Sequence, residues 1–522
     1  MKKMKYTALT LGPIYKTINR VKRTRATWAA SYFFSYLTKK IMEKCKEKGL
    51  TTILPYDGKI FQSRHGAGLY ADRIYFEGNV MVKLEEFIDE ILKEIADDIE
   101  NITNNGNALE YLKNYLNIHI IESNLENDKN ILLELNRHLD QAELQQNFPL
   151  HDDPSPLLDY LDAQLSHNSI IVQDAFSGNT NKHKRFLSIP EIATSELKEK
   201  CPEAYNEVVS KMENCHRKEP VGHLGEHPKC DEDIDFIDEL EQKDECKLHI
   251  RPYHKYFAVL YADGDNIGKL LERIGNDSCK LKDFSRALLT FGQQAEEIIR
   301  EFGGSGIYLG GEDILAYLPI ASVKEGELQT VFDLLRKLDK AFDDTLGELA
   351  MDQQVTTPTL SYGIMMAYAK HPIREVRKIA LSLLHDKAKK TPCKNSIALR
   401  FQKHSGQYTE CVIEKGKTCS FTALHEMIHA YKSKDKEILT GLIHRLKDDL
   451  FFTTFIQAAR MNRLEDFMEN SFNEPIHKDK QSFIQHFTDL SRKVANDYPD
   501  NRQVRDILFT VLRYIQFINS KN

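Results

Sequence analysis

Between residues 256 and 402 the chain follows one strict alternation of apolar runs and amphipathic stretches, and few folds accommodate it. FAVLYA is followed by a helical stretch ending near REFGG, then GIYL, the turn GGED and ILAYLPI. Next come the amphipathic LQTVFDLLRKLDKAFDDTLGEL, the run TLSYGIMMAYA, the helical IREVRKIALSLLHDKAKK and the run SIALRFQ. Short β-branched and aromatic runs read as strands, and the longer stretches with a period near 3.6 read as helices. The order is βαββαβ with an appended αβ. Right-handed crossovers then narrow the topology to the ferredoxin-like type, one sheet with helices on one face.

The first 125 residues echo that order. KYTALTL reads as a strand, YKTINRVKRTRATWAASYFFSYLTKKIMEKCKEK as one long helix, LYADRIYFEG as strand material, VKLEEFIDEILKEIADDIE as a helix and LNIHIIES as a strand. A diverged repeat of the same fold is expected there. With 522 residues, several packed units are required. The division expected is a palm-like unit over 1–125, a helical linker over 126–200, a Cys/His and acidic segment over 201–250, a second palm over 251–411 and a helical bundle over 412–522. The fold class is α+β, with two ferredoxin-like domains.

Hydrophobic residues at 41% and charged residues at 29% fit a globular chain rather than long disorder. No apolar run of membrane-spanning length occurs, and MKKMKYTALTLGP lacks the features of a secretory signal. A cytoplasmic protein without a membrane partner is expected. Nine cysteines at irregular spacing suit reduced thiols better than a disulfide framework. Residues 1–50 hold thirteen Lys or Arg against two Glu, although the whole chain carries a net charge of -7. A basic end on an acidic chain suits a polyanionic partner or a solvated basic helix, and charge alone favours the helix.

Chemistry concentrates where strands end. Asp263 and Asp265 close the first strand of the clear unit, and Glu312 and Asp313 occupy the turn between its second and third strands. In the ferredoxin-like topology the first and third strands are central neighbours, so the four acids converge. Two carboxylates about 4 Å apart repel by roughly 4 kcal/mol at an effective dielectric near 20. A divalent cation removes that penalty, and Mg²⁺ prefers a few carboxylates together with waters and phosphates. Either turn alone is equally a solvated hairpin tip. The two together outweigh that reading, because they share one sheet edge and because Gly264, Gly310 and Gly311 leave bare backbone for a nucleotide.

At this point the sequence resembles a family. ADGDNIG and GGED are similar to the palm shared by nucleotide cyclases, GGDEF enzymes and the large subunit of type III CRISPR effector complexes, and DGDNIG is closest to the last. GPIYKTINRVKRTRATWAASYFFSYL resembles the N-terminal motif of the Cmr-type (III-B) form. LSYGIMMAYAKHPIREVRKIALSLLHDKAK and SIALRFQKHSG resemble its later palm strands and lysine-bearing helix. The resemblance covers roughly the first 75 residues and 255–406.

The resemblance implies two facing palms, a zinc-binding segment, a helical C-terminal domain, and an activity that joins ATP into cyclic oligoadenylate when target RNA pairs with the guide. Asp263, Glu312 and Asp313, with Asp265, would hold two Mg²⁺ or Mn²⁺ ions. Backbone N–H groups at Asn266 and Ile267 would receive phosphate. Ser361 and Gly363 would line the nucleotide pocket. Lys389, with Lys387 as its rival, would contact phosphate, and an exposed helix lysine is the equal alternative. Ser31 would touch a second nucleotide. Arg20 and Arg23 share a helix face suited to phosphate or RNA, and Trp28 reads as a packing anchor. The acceptor is a second ATP or an adenosine-bearing molecule such as S-adenosylmethionine. The implied partners are other Cmr-type subunits, guide RNA and target RNA, in a hetero-oligomer.

The chain also departs from the family. Glu312 replaces the usual Asp of Gly-Gly-Asp-Asp, as GGDEF relatives tolerate. The His-Asp nuclease domain of many members is not expected, since His151-Asp152 sits in a FPLHDDPSP loop and His385-Asp386 in the palm helix; no DNase activity follows. Cys201, Cys215, His216, His223, His227, Cys230 and Cys246 fall where the family binds zinc. They lack a Cys-x-x-Cys pair, and nine acids lie between the last two cysteines, so a lost or degraded zinc site is expected. Two rivals remain. One is a catalytically silent scaffold subunit. The other is a stand-alone diguanylate cyclase, which fits poorly beside two palm-like halves.

Overall fold

A computed structural model of the chain describes residues 3–21, 23–56, 58, 67–104, 106–126, 130–144, 155–163, 169–176, 187–216, 236–324, 326–472 and 480–520. Two mixed α+β units dominate it. In the first, β1 (Lys3–Gly12), β2 (Thr52–Leu54), β3 (Arg73–Glu77) and β4 (Asn117–Glu126) form an antiparallel sheet in the order β2-β3-β1-β4. In the second, β5 (Tyr256–Asp265), β6 (Ser305–Tyr308), β7 (Ile314–Pro319), β10 (Thr359–Tyr368), β11 (Ser396–Gln402) and β12 (Tyr408–Glu414) run β12-β11-β10-β5-β7-β6. A hairpin of β8 (Ala321–Lys324) and β9 (Glu327–Thr330) is inserted after β7. Reading each core from its fourth strand gives the same succession, β4-β1-β3-β2 and β10-β5-β7-β6, which is the ferredoxin-like order in both.

The central strand β5 is apolar along its length because it is covered on both faces. On one face lie the helices Ser278–Glu301 and Val331–Asp352, whose Phe291 and Phe342 rings meet edge to face at 4.8 Å. The first helix is capped by Asp277, which accepts from the N–H groups of Cys279 and Lys280. The second is capped by Thr330, whose N–H donates to Asp333 Oδ2 at 2.7 Å. The other face takes the helix Ile373–Ser382 and its continuation. A Cβ on Gly363 would stand 2.3 Å from the Ala380 carbonyl oxygen and 2.5 Å from the Leu384 nitrogen, so only glycine permits that approach. The helix Ile14–Arg20 closes over the same face.

The expected single helix from residue 15 to 48 is broken. It forms two helices, Ile14–Arg20 and Thr24–Glu47, with Arg20 ending one and Arg23 capping the next, so these arginines do not share a helix face. Arg377 explains the break. Its guanidinium, fully buried, donates to the carbonyls of Ile18 at 2.8 Å and Val21 at 3.0 Å and to Thr27 Oγ1 at 3.1 Å, taking up backbone groups a continuous helix would need. Trp28 is buried, stacked on Tyr32 and Phe176, as a packing anchor should be.

The C-terminal helices, from Thr418–Ala430 to Asn501–Ile518, pack on the β12 side of the sheet. Tyr514 donates from its hydroxyl to the Ile320 carbonyl, and Phe517 meets Tyr256 at 4.7 Å. Among the described residues no helix is long and apolar enough to cross a membrane.

In the Cys/His segment, Cys201 and Cys246 are joined as a disulfide, buried in a small satellite core with Leu197, Tyr205, Phe236 and Leu240. One such pair departs from the expectation of reduced thiols, while Cys45, Cys279, Cys393, Cys411 and Cys419 are free. The Cys215 and His216 side chains, together with His223, His227 and Cys230, lie outside the described residues, as does His151-Asp152.

Candidate active site

The palm acids meet where β5 ends beside the β6–β7 turn. Ala262 opposes Ile314 in the antiparallel register, so Asp263 and Asp313 follow as neighbours across the two strands. The turn itself is closed by the Asp313 N–H on the Gly310 carbonyl at 3.2 Å, and Gly311 adopts a left-handed φ of 69° that favours glycine. Tyr308 crowds Gly310, where an added Cβ would fall 2.4 Å from its hydroxyl oxygen.

Side-chain alternation along β5 puts Asp263 and Asp265 on one face and Gly264 on the other. Lys389 reaches over the first face. Its Nζ lies 2.9 Å from Asp263 Oδ1, 2.8 Å from Asp265 Oδ1 and 2.7 Å from the Gly264 carbonyl oxygen. Lys387 points elsewhere and pairs with Glu410 on β12. Of the two rival lysines, Lys389 alone stands among the acids.

Glu312 approaches from the opposite side. A Cβ on Gly264 would be 2.7 Å from Glu312 Cβ, so the bare backbone there is covered by Glu312 itself rather than open to a nucleotide. Burial first, then the negative charge of Asp263, pushes the Glu312 carboxyl above its ordinary value, and its own backbone N–H and Lys389 pull the other way. Asp313 is driven well above the ordinary aspartate value by burial and by the charges of Glu312 and Asp263. Because the acids come from two faces and repel one another, no three palm carboxylates bring ligand atoms within 4.8 Å of each other among the described residues.

Several expected roles are corrected by this geometry. Asp265 is fully buried, and its Oδ2 accepts from Ser361 Oγ at 2.7 Å, Thr359 Oγ1 at 3.1 Å and the Asn395 N–H at 2.9 Å. It anchors the strand end and Lys389, and does not face the cleft as a metal ligand. Ser361 lies beneath it, fully buried, and Gly363 faces the packed helix, so neither lines an open pocket. Ser31 donates from Oγ to the Ile307 carbonyl at 2.7 Å, tying the N-terminal unit to the edge of β6 rather than touching a nucleotide. Asn266, left-handed at φ 65°, caps the helix Ile267–Ile274 with no side chain over its N-terminus, which leaves the backbone there available to an anion.

Two residues were not singled out from the sequence. Asp72, just before β3, raises the carboxyls of both Glu312 and Asp313 by its charge, so the N-terminal unit contributes an acid to the same cleft. Tyr15 projects 47% exposed into a cavity it shares with Tyr261, Tyr308, Asp263 and Asp313. The signal for Asp72 was available, since LYADRIYFEG places an acid at the end of strand material as GGED does.

The family model for the second palm domain of Cas10/Cmr2 matches residues 256–398, and that for the N-terminal part of the CRISPR-associated protein Cmr2 matches 6–57. Over those two stretches the chain is similar to the Cas10/Cmr2 family. A curated relative, the CRISPR system Cmr subunit Cmr2 of Pyrococcus furiosus, is 29% identical over 178 residues, which cover 30% of this chain and 19% of that protein. The match therefore spans about a fifth of the curated relative's length. Among solved structures, a Csm1–Csm4 cassette in complex with cA4 is similar with a TM-score of 0.53 at 11% identity, over 98% of this chain and 70% of that one. The same cassette in complex with pppApA gives 0.52 at 11% identity, over 99% and 69%. At these identities the likeness concerns the Cas10-type fold.

The donor set tests whether a divalent ion suits the site. Asp263, Glu312 and Asp313 offer only oxygen, the ligand type Mg²⁺ and Mn²⁺ take. Glu312 and Asp313 are pushed up by burial and then by neighbouring negative charge, which a cation would relieve, and Lys389 already brings positive charge to Asp263. The residues fit a hard cation.

Proposed function

We propose that this chain is the large, signal-generating subunit of a type III-B CRISPR effector, a metal-dependent nucleotidyltransferase that uses ATP. The observation that carries the reading is the meeting of Asp263, Glu312 and Asp313 at adjacent strand ends with Lys389 among them. Solved cassettes of the same fold bearing cA4, pppApA or AMPPNP support a nucleotide at such a palm. Bound ions would supply charge neutralisation of the triphosphate and a lowered pKa for the attacking hydroxyl.

The chain's own groups do the rest. Asp263, Glu312 and Asp313 hold the ions. Lys389 fixes the Asp263 carboxylate and presents positive charge toward phosphate, and the uncapped N–H groups at Asn266 and Ile267 donate to phosphate oxygens. The turn glycines Gly310 and Gly311 let the backbone pass close to the nucleotide. The product is cyclic oligoadenylate, or AMP joined to an acceptor such as S-adenosylmethionine. The complex contains other Cmr-type subunits and guide RNA, and target RNA switches it on.

Labelled ATP given to the assembled complex, with target RNA and with or without S-adenosylmethionine, tests this through the masses of the products. Adenylate-containing product that disappears in the Glu312→Ala/Asp313→Ala variant is expected. A second reading, a silent scaffold, is favoured by the spread of the palm carboxylates and by Lys389 bridging Asp263 and Asp265. No product under any of these conditions, with intact assembly, selects the scaffold.

A further inference from the structure

Away from the palm, one other set of ligand-type side chains is drawn together. The helix Thr418–Ala430 carries His425 and His429 one turn apart, and Asp333 lies in the first turn of the helix Val331–Asp352. His425 Nε2 stands 2.6 Å from Asp333 Oδ1, and His429 Nε2 stands 3.1 Å from both carboxylate oxygens. The two imidazoles are 4.6 Å apart between ring centres. One ligand atom from each of the three residues lies within 4.8 Å of the other two, which holds for no other group of three His, Cys, Asp or Glu among the described residues.

We propose that His425, His429 and Asp333 bind a zinc-class divalent transition ion that joins the C-terminal helices to the palm helix. The chemistry differs from that of the palm site. Two imidazole nitrogens and one carboxylate oxygen form the borderline-soft set that Zn²⁺, Co²⁺ and Ni²⁺ prefer, whereas Mg²⁺ prefers oxygen alone. The residues 425–429 read His-Glu-Met-Ile-His, the spacing that places two histidines on one helix face toward a metal.

Asp333 is held in place for the role. Its Oδ2 receives the Thr330 N–H and Oγ1, both at 2.7 Å, so the carboxylate is fixed before any ion arrives. Three ligands around a tetrahedral zinc stand ~3.4 Å apart, given metal–ligand bonds near 2.0–2.1 Å. The cluster therefore has to open by less than an ångström from its hydrogen-bonded spacing. His429, with 36% of its side chain exposed, has room to do so and leaves one coordination position facing water. A neutral imidazole that carries its hydrogen on Nδ1 leaves Nε2 with the lone pair the ion takes, so each histidine exchanges its contact with Asp333 for a bond to the metal.

The test uses the full chain in the Glu312→Ala/Asp313→Ala background, which silences the palm acids. After treatment with a chelator, Zn²⁺ is titrated against Co²⁺, whose visible absorption reports imidazole coordination, and thermal unfolding is followed with and without the ion. One ion per chain is expected at this site, with a rise in Tm, and His429→Gln is expected to lose at least ~10-fold in affinity together with that rise. Asp333→Asn keeps an oxygen for the helix cap and is expected to lose affinity while remaining folded. Equal zinc affinity and equal thermal shift in the parent and in His429→Gln overturn the proposal: the ion then sits elsewhere, and the three residues form a metal-free hydrogen-bonded cluster.

Discussion

The two sheets share a strand order and differ at the ends of their first strands. In the palm, β5 ends in Asp263-Gly264-Asp265, with Asp263 opposite Asp313 and Gly264 beneath Glu312. In the N-terminal unit the corresponding strand β1 ends in Leu11-Gly12, and the Leu11 N–H bonds to the Asp72 carbonyl, the position that answers to Asp313. One unit keeps four acids at its strand ends and the other keeps one. The same backbone therefore serves as an acidic cleft in one copy and, in the other, as a wall that adds Asp72 to the cleft. The architecture tolerates loss of the acids because hydrophobic packing, not the carboxylates, holds each sheet together.

The largest expected effect separates the two copies by activity. Glu312→Ala/Asp313→Ala should abolish ATP turnover by the assembled complex, whereas Asp72→Asn should leave turnover in place and move its acidic limb. The sign follows from the charge: Asp72 pushes the Glu312 and Asp313 carboxyls up, so removing it lets them ionise at lower pH and shifts the limb downward. A pH–rate profile checks this, and an unmoved limb would separate Asp72 from the site.

Next comes the lysine pair. Lys389→Met leaves the fully buried Asp265 without its cation, and a loss on the order of 3 kcal/mol is expected in denaturant unfolding, with loss of turnover. Lys387→Met, which breaks only the pair with Glu410 on β12, should cost about 1 kcal/mol or less and leave turnover near the parent level.

The glycines at the two strand ends give a smaller and sharper contrast. Gly264→Ala sets a methyl 2.7 Å from Glu312 Cβ, and about 1–3 kcal/mol of destabilisation with displaced Glu312 is expected. Gly12→Ala meets nothing nearer than the Asn117 carbonyl oxygen at 3.7 Å and should shift Tm little. Equal effects at both positions would mean that Glu312 yields freely, and the close approach would lose its meaning.

The mildest prediction concerns a carboxyl shifted the other way. Burial pushes Glu196 up, but the hydrogen bond from His254 and the charges of His254 and Lys200 outweigh it and hold the carboxyl at about 2. A depressed acid contributes stability that is fully present above its ordinary value of 4.5 and is lost as pH falls toward about 2. Thermal melts across that window should fall more steeply for the parent than for Glu196→Gln.

Much of the palm was legible because strand period, helix period and turn glycines agreed over residues 256–402. What escaped was short or conditional on distant partners. β2 has three residues, and the β8–β9 hairpin sits where its residues pass directly from one strand into the next. The break after Arg20 depends on Arg377, more than 350 positions away, which no local pattern reports. Among the expected site residues, the acids stood out by placement beside glycines, whereas an exposed helix lysine was an equal reading of Lys389, and its position beside Asp263 and Asp265 depends on the fold. Ser31, Ser361 and Gly363 were misread because a small residue that serves packing and one that serves a ligand look alike until the neighbouring atoms are known. Asp265 was misread because alternation along β5 fixes its face but says nothing of the three donors waiting for its second oxygen.

Arg377 carries a consequence for how this protein can be divided. Its guanidinium, sealed from water, is answered by two main-chain oxygens and a hydroxyl that belong to the first thirty residues. Cutting the chain so that the palm is made alone would strand a permanent cation in an oily seam, with no proton it can shed to escape. An engineer who wants the palm by itself must replace that arginine first.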